Sequence, residues 1–597
     1  MTDRWLNYVL SIVVVVGVVL VAMYERPRLA EERAELLDQD VVEVDDAEYG
    51  PPGEREPLEL RARGEATSPA DDAADDAAGE AADDAGDDTD RGGEEEPTLG
   101  AYGVSASHPL AVEVGMTVLE AGGNAVDAAV AVSYALGVVE PFGSGPGGGG
   151  SLLLQAPGAE PQAYDYREVA PASGEVPASN IGVPGFVAGL DHVHDEHGSL
   201  EIADLIEPAA RLAEDGFEVG EYLHDRLRAA GARLPIHLAP RLFPAGAAIG
   251  AGEVLRQPEY AEALRAIQED GPDVVYGGWI GEEIADAVSG LELADLEDYS
   301  VAEVTPTRGV LGDRDVISGG APTSGATVIQ ILQIAEALGV AELDPDGAEW
   351  HHLVAQAWRL ALSDRTELVA DPDVEDVPLP QIVEREHTDA LAGLVPADGF
   401  APVTDGEPAI SPESDTTHLV VVDEDGVMVS ATNTLSNFFG SGLPISGFFL
   451  NDQLKNFSST AGSVNRPAAG KRPRSFIAPT IVVDDGDPVL GIGTPGGRRI
   501  PLLTAQVLLG WAHHGVPVQE AVQRPRFHLE GRRLEFEQAP SSSVADQLAA
   551  IGYEVTTEVP VTEYFGGMQA LWIDHADGEV DGVADERRPG AWDAARR

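Results

Sequence analysis

The sequence predicts an α+β fold in which sheets are covered by helices on both faces. Three observations point that way. Helical patterns crowd the earlier part of the chain, hairpin patterns gather in the later part, and one alanine-rich helix is apolar nearly all round. A helix without a polar face must be covered on every side, and layers of helix on sheet achieve that.

Ahead of the globular part, Asn7 to Tyr24 read NYVLSIVVVVGVVLVAMY without one charge. About 20 apolar residues cross a bilayer, so this short run predicts a membrane anchor within residues 1–30, bracketed by the interfacial aromatics Trp5 and Tyr24. Met23, Tyr24 and Glu25 stand where a signal peptide would carry small residues for cleavage, which favours a retained anchor. Arg4 lies on one side and Arg26 and Arg28 on the other, so charge sets no orientation. Residues 31–99 then turn to acid, alanine and glycine, as in DDAADDAAGEAADDAGDDTDRGGEEE. Such a tract has too little to bury to offset its ordering entropy and predicts a disordered, self-repelling stalk.

Structured sequence is expected from Gly100. Ser107 is placed to cap a helix with Pro109 in its first turn and Val112, Met116 and Leu119 at helical spacing, ended by Gly122 and Gly123. Asn124 with Asp127 predicts a capping box that opens the buried helix NAVDAAVAVSYALGVV. The loop Gly143–Ser151, GSGPGGGGS, holds six glycines and lets backbone approach backbone or ligand. No GK[ST] follows, so it is not a phosphate loop. Further helices are expected over Ile202–Asp215, Glu259–Gln268, Trp350–Leu362 and Leu502–His513. Two hairpins are expected, one pairing His418–Val422 with Val427–Thr432, the other Thr480–Val483 with Val489–Gly493. The chain contains no internal repeat.

Composition narrows the function. Among 597 residues, 104 Asp and Glu face 36 Lys and Arg, a formal charge of −68, and the only lysines are Lys455 and Lys471. That field disfavours nucleic acid and anionic lipid as partners. Acid-rich, lysine-poor surfaces suit molar salt, where the Debye length falls to about 3 Å, so a halophilic source is expected. The absence of cysteine excludes disulfides and thiol catalysis.

The chemistry gathers around Asp415-Thr416-Thr417-His418-Leu419-Val420-Val421-Val422. A threonine pair ahead of a strand is by default a capping feature. Distant segments change that reading: SASHPLAVEVGMTVLEAGGNAVDAAVAVSYALGVVEPFGSGPGGGGS, YDYREVAP, IGVPGFVAGL, DTTHLVVVDEDGVMVSATNTL, GKRPRSFIAPTIV, GIGTPGGRRI, EAVQRPRFHLEG and GVADERRPGAW occur in that order. From about Gly100 to Ala594 the set resembles the γ-glutamyltranspeptidase family.

The resemblance implies an N-terminal-nucleophile αββα sandwich made as a precursor. The bond between Asp415 and Thr416 would be broken by the Thr416 hydroxyl, leaving a large piece, residues 100–415, and a small piece, 416–597, as a heterodimer. A threonine hydroxyl needs a base, and a new α-amine with a pKa of about 7.7–8.0 can serve near neutral pH. The resemblance therefore implies no cofactor and no metal. It matches Thr434 to the threonine that orients the nucleophile, and Gly496 and Gly497 to the oxyanion-hole pair. Arg167 matches the arginine that grips the donor's α-carboxylate, the alternative being an ion pair with Asp165. Gln453 and Ser475 match polar pocket positions.

Three departures bear on substrate. Asn456 stands where the family usually has an aspartate that reads the donor's α-ammonium, Ser436 replaces an asparagine, and Phe476 replaces the second of two serines after KRP-x. An amide removes the charge partner of a buried cation. The substrate expected is a glutathione-like γ-glutamyl molecule or poly-γ-glutamate, whose interior α-amines are acylated, with water or an amine as acceptor. A non-catalytic surface binding protein, and cleavage of cephalosporin-type acyl chains, are the other readings. The expected site is outside the cell, on a single-pass anchor. Asn456-Phe457-Ser458 is a glycosylation sequon at a pocket position, expected to be unmodified, and His108, His418 and His528 read as packed histidines rather than zinc ligands. The loop Gly319–Thr327, GGAPTSGAT, is expected near the site.

Overall fold

The computed structural model describes residues 60–63, 99–396, 398–403, 414–559 and 562–597. The expected anchor and most of the acidic stalk lie outside the described residues. Among the described residues, no helix is long and apolar enough to cross a membrane. Four residues of the expected stalk do dock. Arg61 pairs with Asp204 at 2.7 Å, Arg63 pairs with Asp195 at 2.5 Å, and Ala62 bridges Leu200.

The elements that build the site run as follows. Strand β1 (Ala101–Ala106) leads into α1 (Pro109–Glu120) and α2 (Ala125–Val139), then β2 (Gly149–Gln155), β3 (Gln162–Asp165), α3 (Phe186–His197), α4 (Ile202–Asp215) and α5 (Pro258–Asp270). Next come β4 (Ala302–Val304), β5 (Thr307–Leu311), β6 (Arg314–Ser318), α6 (Gly325–Ala337) and α7 (Ala348–Leu368). The later part supplies β7 (Ser414–Val422), β8 (Met428–Asn437), β9 (Thr480–Asp484), β10 (Asp487–Gly493), α8 (Ile500–His514), β11 (Gln569–Asp574), β12 (Glu579–Ala584) and β13 (Ala591–Arg596).

Two antiparallel sheets result. One has seven strands in the order β13-β1-β7-β8-β2-β3-β4, the other six in the order β12-β11-β10-β9-β6-β5. Side chains alternate across each strand and sort the core into layers. In β7, Val420 and Val422 point between the sheets, where they join Ile481 and Val483 of β9. Leu419 and Val421 point outward into a core shared with α1, α2, α4 and α5. The second sheet does the same, sending Val482, Leu490 and Ile492 outward against α6, α7 and α8. The order of layers is helix, sheet, sheet, helix.

The buried helix behaves as its sequence requires. Every residue of α2 is buried, and both halves of the Asn124–Asp127 capping box form. The expected cap of α1 is corrected. His108, not Ser107, is the N-cap, its Nδ1 accepting the Leu110 N–H at 3.2 Å, while Ser107 donates to the His418 carbonyl. Pro109 has no N–H to offer, so the ring one residue before it reaches the first available donor. The first hairpin also starts earlier than expected, because Ser414 and Asp415 pair with Asn437 and Ser436 and carry β7 through Thr416.

Candidate active site

Thr416 sits where the β7–β8 ladder changes step. Thr417 pairs with Asn433 and Asp415 with Ser436, so Thr434 and Leu435 together face Thr416. This is a β-bulge, which re-aims side chains beside a strand. It brings Thr434 Oγ1 to 3.3 Å from Thr416 Oγ1, and the same oxygen accepts the Ser436 N–H at 2.8 Å. Ser436 takes a φ of +83°, outside the regions an ordinary residue prefers.

The glycine loop makes room for this bulge. A β-carbon on Gly148 would stand 2.3 Å from the Thr434 carbonyl oxygen, and one on Gly147 2.2 Å from that of Phe449. Both are backbone-to-backbone approaches that only glycine permits. Asn451 locks the same region. Its amide donates to the carbonyls of Gly147 and Gly182 at 2.9 and 3.0 Å and accepts the N–H groups of Gly182 and Gln453 at 3.0 and 3.1 Å.

Around the two threonines closes a small pocket lined by Ser436, Gln453, Asn456, Ser475 and Gly497, with Phe476, Ile477 and Ile500 as its apolar wall. Asn456 Nδ2 bridges Gln453 Oε1 at 3.2 Å and Ser436 Oγ at 3.5 Å. Gln453 Nε2 is buried and has no hydrogen-bond partner among the described residues, a donor in the pocket wall that a ligand oxygen can satisfy. Gly496 and Gly497, with φ of +139° and +55°, form the turn that enters α8, so the positive end of that helix dipole meets the pocket. Behind the turn, Arg499 stacks 4.1 Å from the Tyr564 ring, whose hydroxyl donates to Glu535.

Ser475 is held by its backbone. Its carbonyl accepts Arg365 Nη2 and Ser324 Oγ, both at 2.9 Å, and its N–H donates to the Pro322 carbonyl at 3.1 Å. The loop Gly319–Thr327 thus buttresses the pocket from behind. Arg365 also lies 3.8 Å from the centre of the Phe476 ring, fixing that aromatic wall.

Arg167 is elsewhere. Its Nε and Nη2 bind Asp165 at 3.0 and 2.7 Å, its Nη1 binds the Pro473 carbonyl at 2.7 Å, and its side chain is fully buried. The fork expected to grip a carboxylate is spent on Asp165, the alternative noted from sequence, and what it positions is the segment leading to Ser475. The side chain of Asp415 lies outside what is described. His108 caps α1, His418 Nδ1 shares a hydrogen with Thr432 Oγ1 at 2.8 Å, and His528 lies 3.8 Å from Glu530. Burial pushes His418 down to about 3 and His108 to about 4.

Sequence reading missed Asn451, Arg365 and the apolar wall of Ile477 and Ile500. Asn451 left a faint signal, an amide directly after the buried run Phe448-Phe449-Leu450. Arg365 left none, since it lies past the expected end of the helix at Leu362, whereas the helix runs on to Leu368 and buries it.

Comparison with known proteins gives these positions a context. Residues 111–595 match the family profile described as Gamma-glutamyltranspeptidase. The Capsule biosynthesis protein CapD proenzyme of Bacillus anthracis is 39% identical over 494 residues, 83% of this chain and 90% of that protein. The Glutathione hydrolase proenzyme of Escherichia coli (strain K12) is 33% identical over 526 residues, 81% of this chain and 90% of its own. The crystal structure of cephalosporin acylase from Bacillus halodurans superposes with a TM-score of 0.75 at 24% identity, covering 85% of this chain and 99% of that one, a likeness of fold.

Proposed function

This chain belongs to the gamma-glutamyltranspeptidase family, and from that premise we propose how its residues divide the work. It is an enzyme, a self-processing γ-glutamyltransferase and hydrolase. The observation that carries the assignment of roles is the 3.3 Å approach of Thr416 and Thr434 hydroxyls at the bulge, inside a pocket of polar side chains.

In the precursor, Thr416 Oγ1 attacks the Asp415 carbonyl carbon. The C–N bond breaks as the ester forms, which frees the Thr416 α-amine, and water then hydrolyses the ester to the Asp415 carboxylate and the Thr416 hydroxyl. In turnover that amine takes the hydroxyl proton, Oγ1 attacks the γ-carbonyl of the donor, and the N–H groups of Gly496 and Gly497 receive the oxyanion. One such donor contributes about 2.7–4 kcal/mol. The leaving amine departs with the proton, and water or a second amine takes the γ-glutamyl group from the ester. Thr434 orients the nucleophile, and Gln453 Nε2 is the donor that meets a substrate oxygen.

Asn456 favours a donor whose α-amine is acylated. Its amide is knitted to Ser436 and Gln453, and among the described side chains no carboxylate lines the pocket to demand a free ammonium. Poly-γ-glutamate has such amines throughout, and a relative named for capsule biosynthesis is consistent with a polymer. Glutathione-like donors are the competing substrates. The anchor at Asn7 to Tyr24 would hold the enzyme at the cell surface, and the acidic composition would suit concentrated salt.

Masses of the products purified in molar KCl test the reading. Two fragments split between Asp415 and Thr416, absent from Thr416→Ala, are expected, and an intact chain in both would sink it. A much faster rate on γ-glutamyl anilide than on polymer would remove the polymer reading alone.

A further inference from the structure

We propose that His192, Glu196 and Glu303 form a binding site for a divalent d-block cation of the zinc type, on the outer edge of the first sheet and apart from the threonine pocket. His192 and Glu196 lie one turn apart on α3, an i,i+4 pair that faces one way. Glu303 comes from β4, where it stands opposite Tyr164 in the β3–β4 ladder. The three donor atoms all lie within 4.8 Å of one another.

The spacing is that of co-ligands rather than of hydrogen-bonded partners. His192 Nε2 is 3.7 Å from Glu196 Oε1 and 3.6 Å from Glu303 Oε1, too far for a hydrogen bond. Atoms bound at about 2.0–2.1 Å to one tetrahedral ion are roughly 3.4 Å apart, so both histidine-to-carboxylate spacings are close to those of co-ligands, and the two carboxylates, within 4.8 Å, would draw together on binding. His192 Nε2 is also shielded from water and has no hydrogen-bond partner among the described residues, although it lies between two carboxylates.

A neighbouring group orients the cluster, as outer partners do in metal sites. Tyr164 Oη donates to Glu196 Oε2 at 2.6 Å, and His197 Nε2 lies 2.6 Å from the same Oη. Glu196 Oε2 is thereby occupied, and Oε1 is the oxygen turned to His192. One imidazole with two carboxylates neutralises a dication. The nitrogen donor selects zinc-like ions over magnesium or calcium, and the half-exposed position lets water complete the shell. The ion would tie the end strand β4 to α3, with β2 and β3 standing between β4 and β8.

The test uses the full chain without a histidine tag, stripped with chelator and dialysed in molar KCl. Zinc chloride is the probe, with millimolar magnesium present as competitor, and both bound metal and the unfolding midpoint are measured. One zinc per chain and a raised midpoint are expected, with binding weakened at least tenfold by Glu303→Gln and abolished by His192→Ala/Glu303→Gln. The conservative glutamine keeps the test valid if the double variant folds poorly. No zinc retained above the magnesium background would overturn the site. So would stoichiometric zinc in the folded double variant, because the ion would then sit elsewhere.

Discussion

The two ends of the β7–β8 hairpin share one ladder and serve opposite purposes. Near the turn, Val420, Val421 and Val422 pair with Met428, Val429 and Ser430 and are buried between or beneath layers. At the far end, Thr416, Thr417 and His418 face Thr432, Asn433 and Thr434, equally buried but polar. Burying hydroxyls and amides costs free energy unless they are hydrogen-bonded, and here they bond to one another. Thr417 Oγ1 donates to Ser144 Oγ at 3.0 Å, Tyr166 Oη to Asn433 Oδ1 at 2.8 Å, and Asn433 Nδ2 to Ser133 Oγ at 3.0 Å. The apolar end holds the sheet by area, and the polar end holds a reactive geometry by partners. Mutations at the two ends should therefore separate stability from chemistry.

Thr416→Ala should give the largest effect, complete loss of self-cleavage by mass and of turnover, with the unfolding free energy changed by less than about 2 kcal/mol. Met428→Ala at the other end should do the reverse. Met428 is fully buried, so about 2–5 kcal/mol of stability should go, measured by denaturant unfolding, while the folded fraction still cleaves itself. A Met428→Ala protein that folds normally yet cannot cleave would break the division. Gly491→Ala sharpens it from the facing sheet, since a β-carbon there would meet Val420 Cγ1 at 2.6 Å and Met428 Sδ at 2.9 Å. Overpacking of about 1–3 kcal/mol is expected, again without loss of processing.

Thr434→Ala should slow processing and turnover about tenfold, the worth of one hydrogen bond, with Thr434→Ser restoring most of the rate. The last effect concerns pH. His418 is held down to about 3 by burial, whereas in the unfolded chain it binds a proton below about 6.5. The unfolded state then carries more protons than the folded one, so stability falls as pH drops from about 6.5 toward 3, by at most about 1.4 kcal/mol per pH unit from this ring. His418→Asn should flatten that part of the acid limb in a stability–pH profile, and an unchanged slope would place the proton uptake elsewhere.

Much of this was legible in the chain because local rules decided it. Helical spacing and the Asn124–Asp127 box define α2, whose boundaries and burial follow from alanine and valine on every face. The unbroken apolar run Leu419 to Val422 marks a strand buried on both sides, and the ordered motifs carried the family. Ser107 was misread as a cap because its neighbours in space, the His418 carbonyl above all, are 311 residues away. Arg167 shows the limit more sharply. Its motif speaks of a carboxylate reader, and only the folded chain shows Asp165 and Pro473 taking its donors.

The sequence by itself determined the helical periods, the Asn124–Asp127 cap and the glycine run, since each depends on a residue and its near neighbours. Tertiary structure decided the step in the ladder that sets Thr434 against Thr416, the wall that Arg365 stiffens behind Ser475, and the meeting of Glu303 with His192. Those depend on register and on close packing between segments far apart in the chain, where a single bulge re-aims a side chain and no local propensity records it.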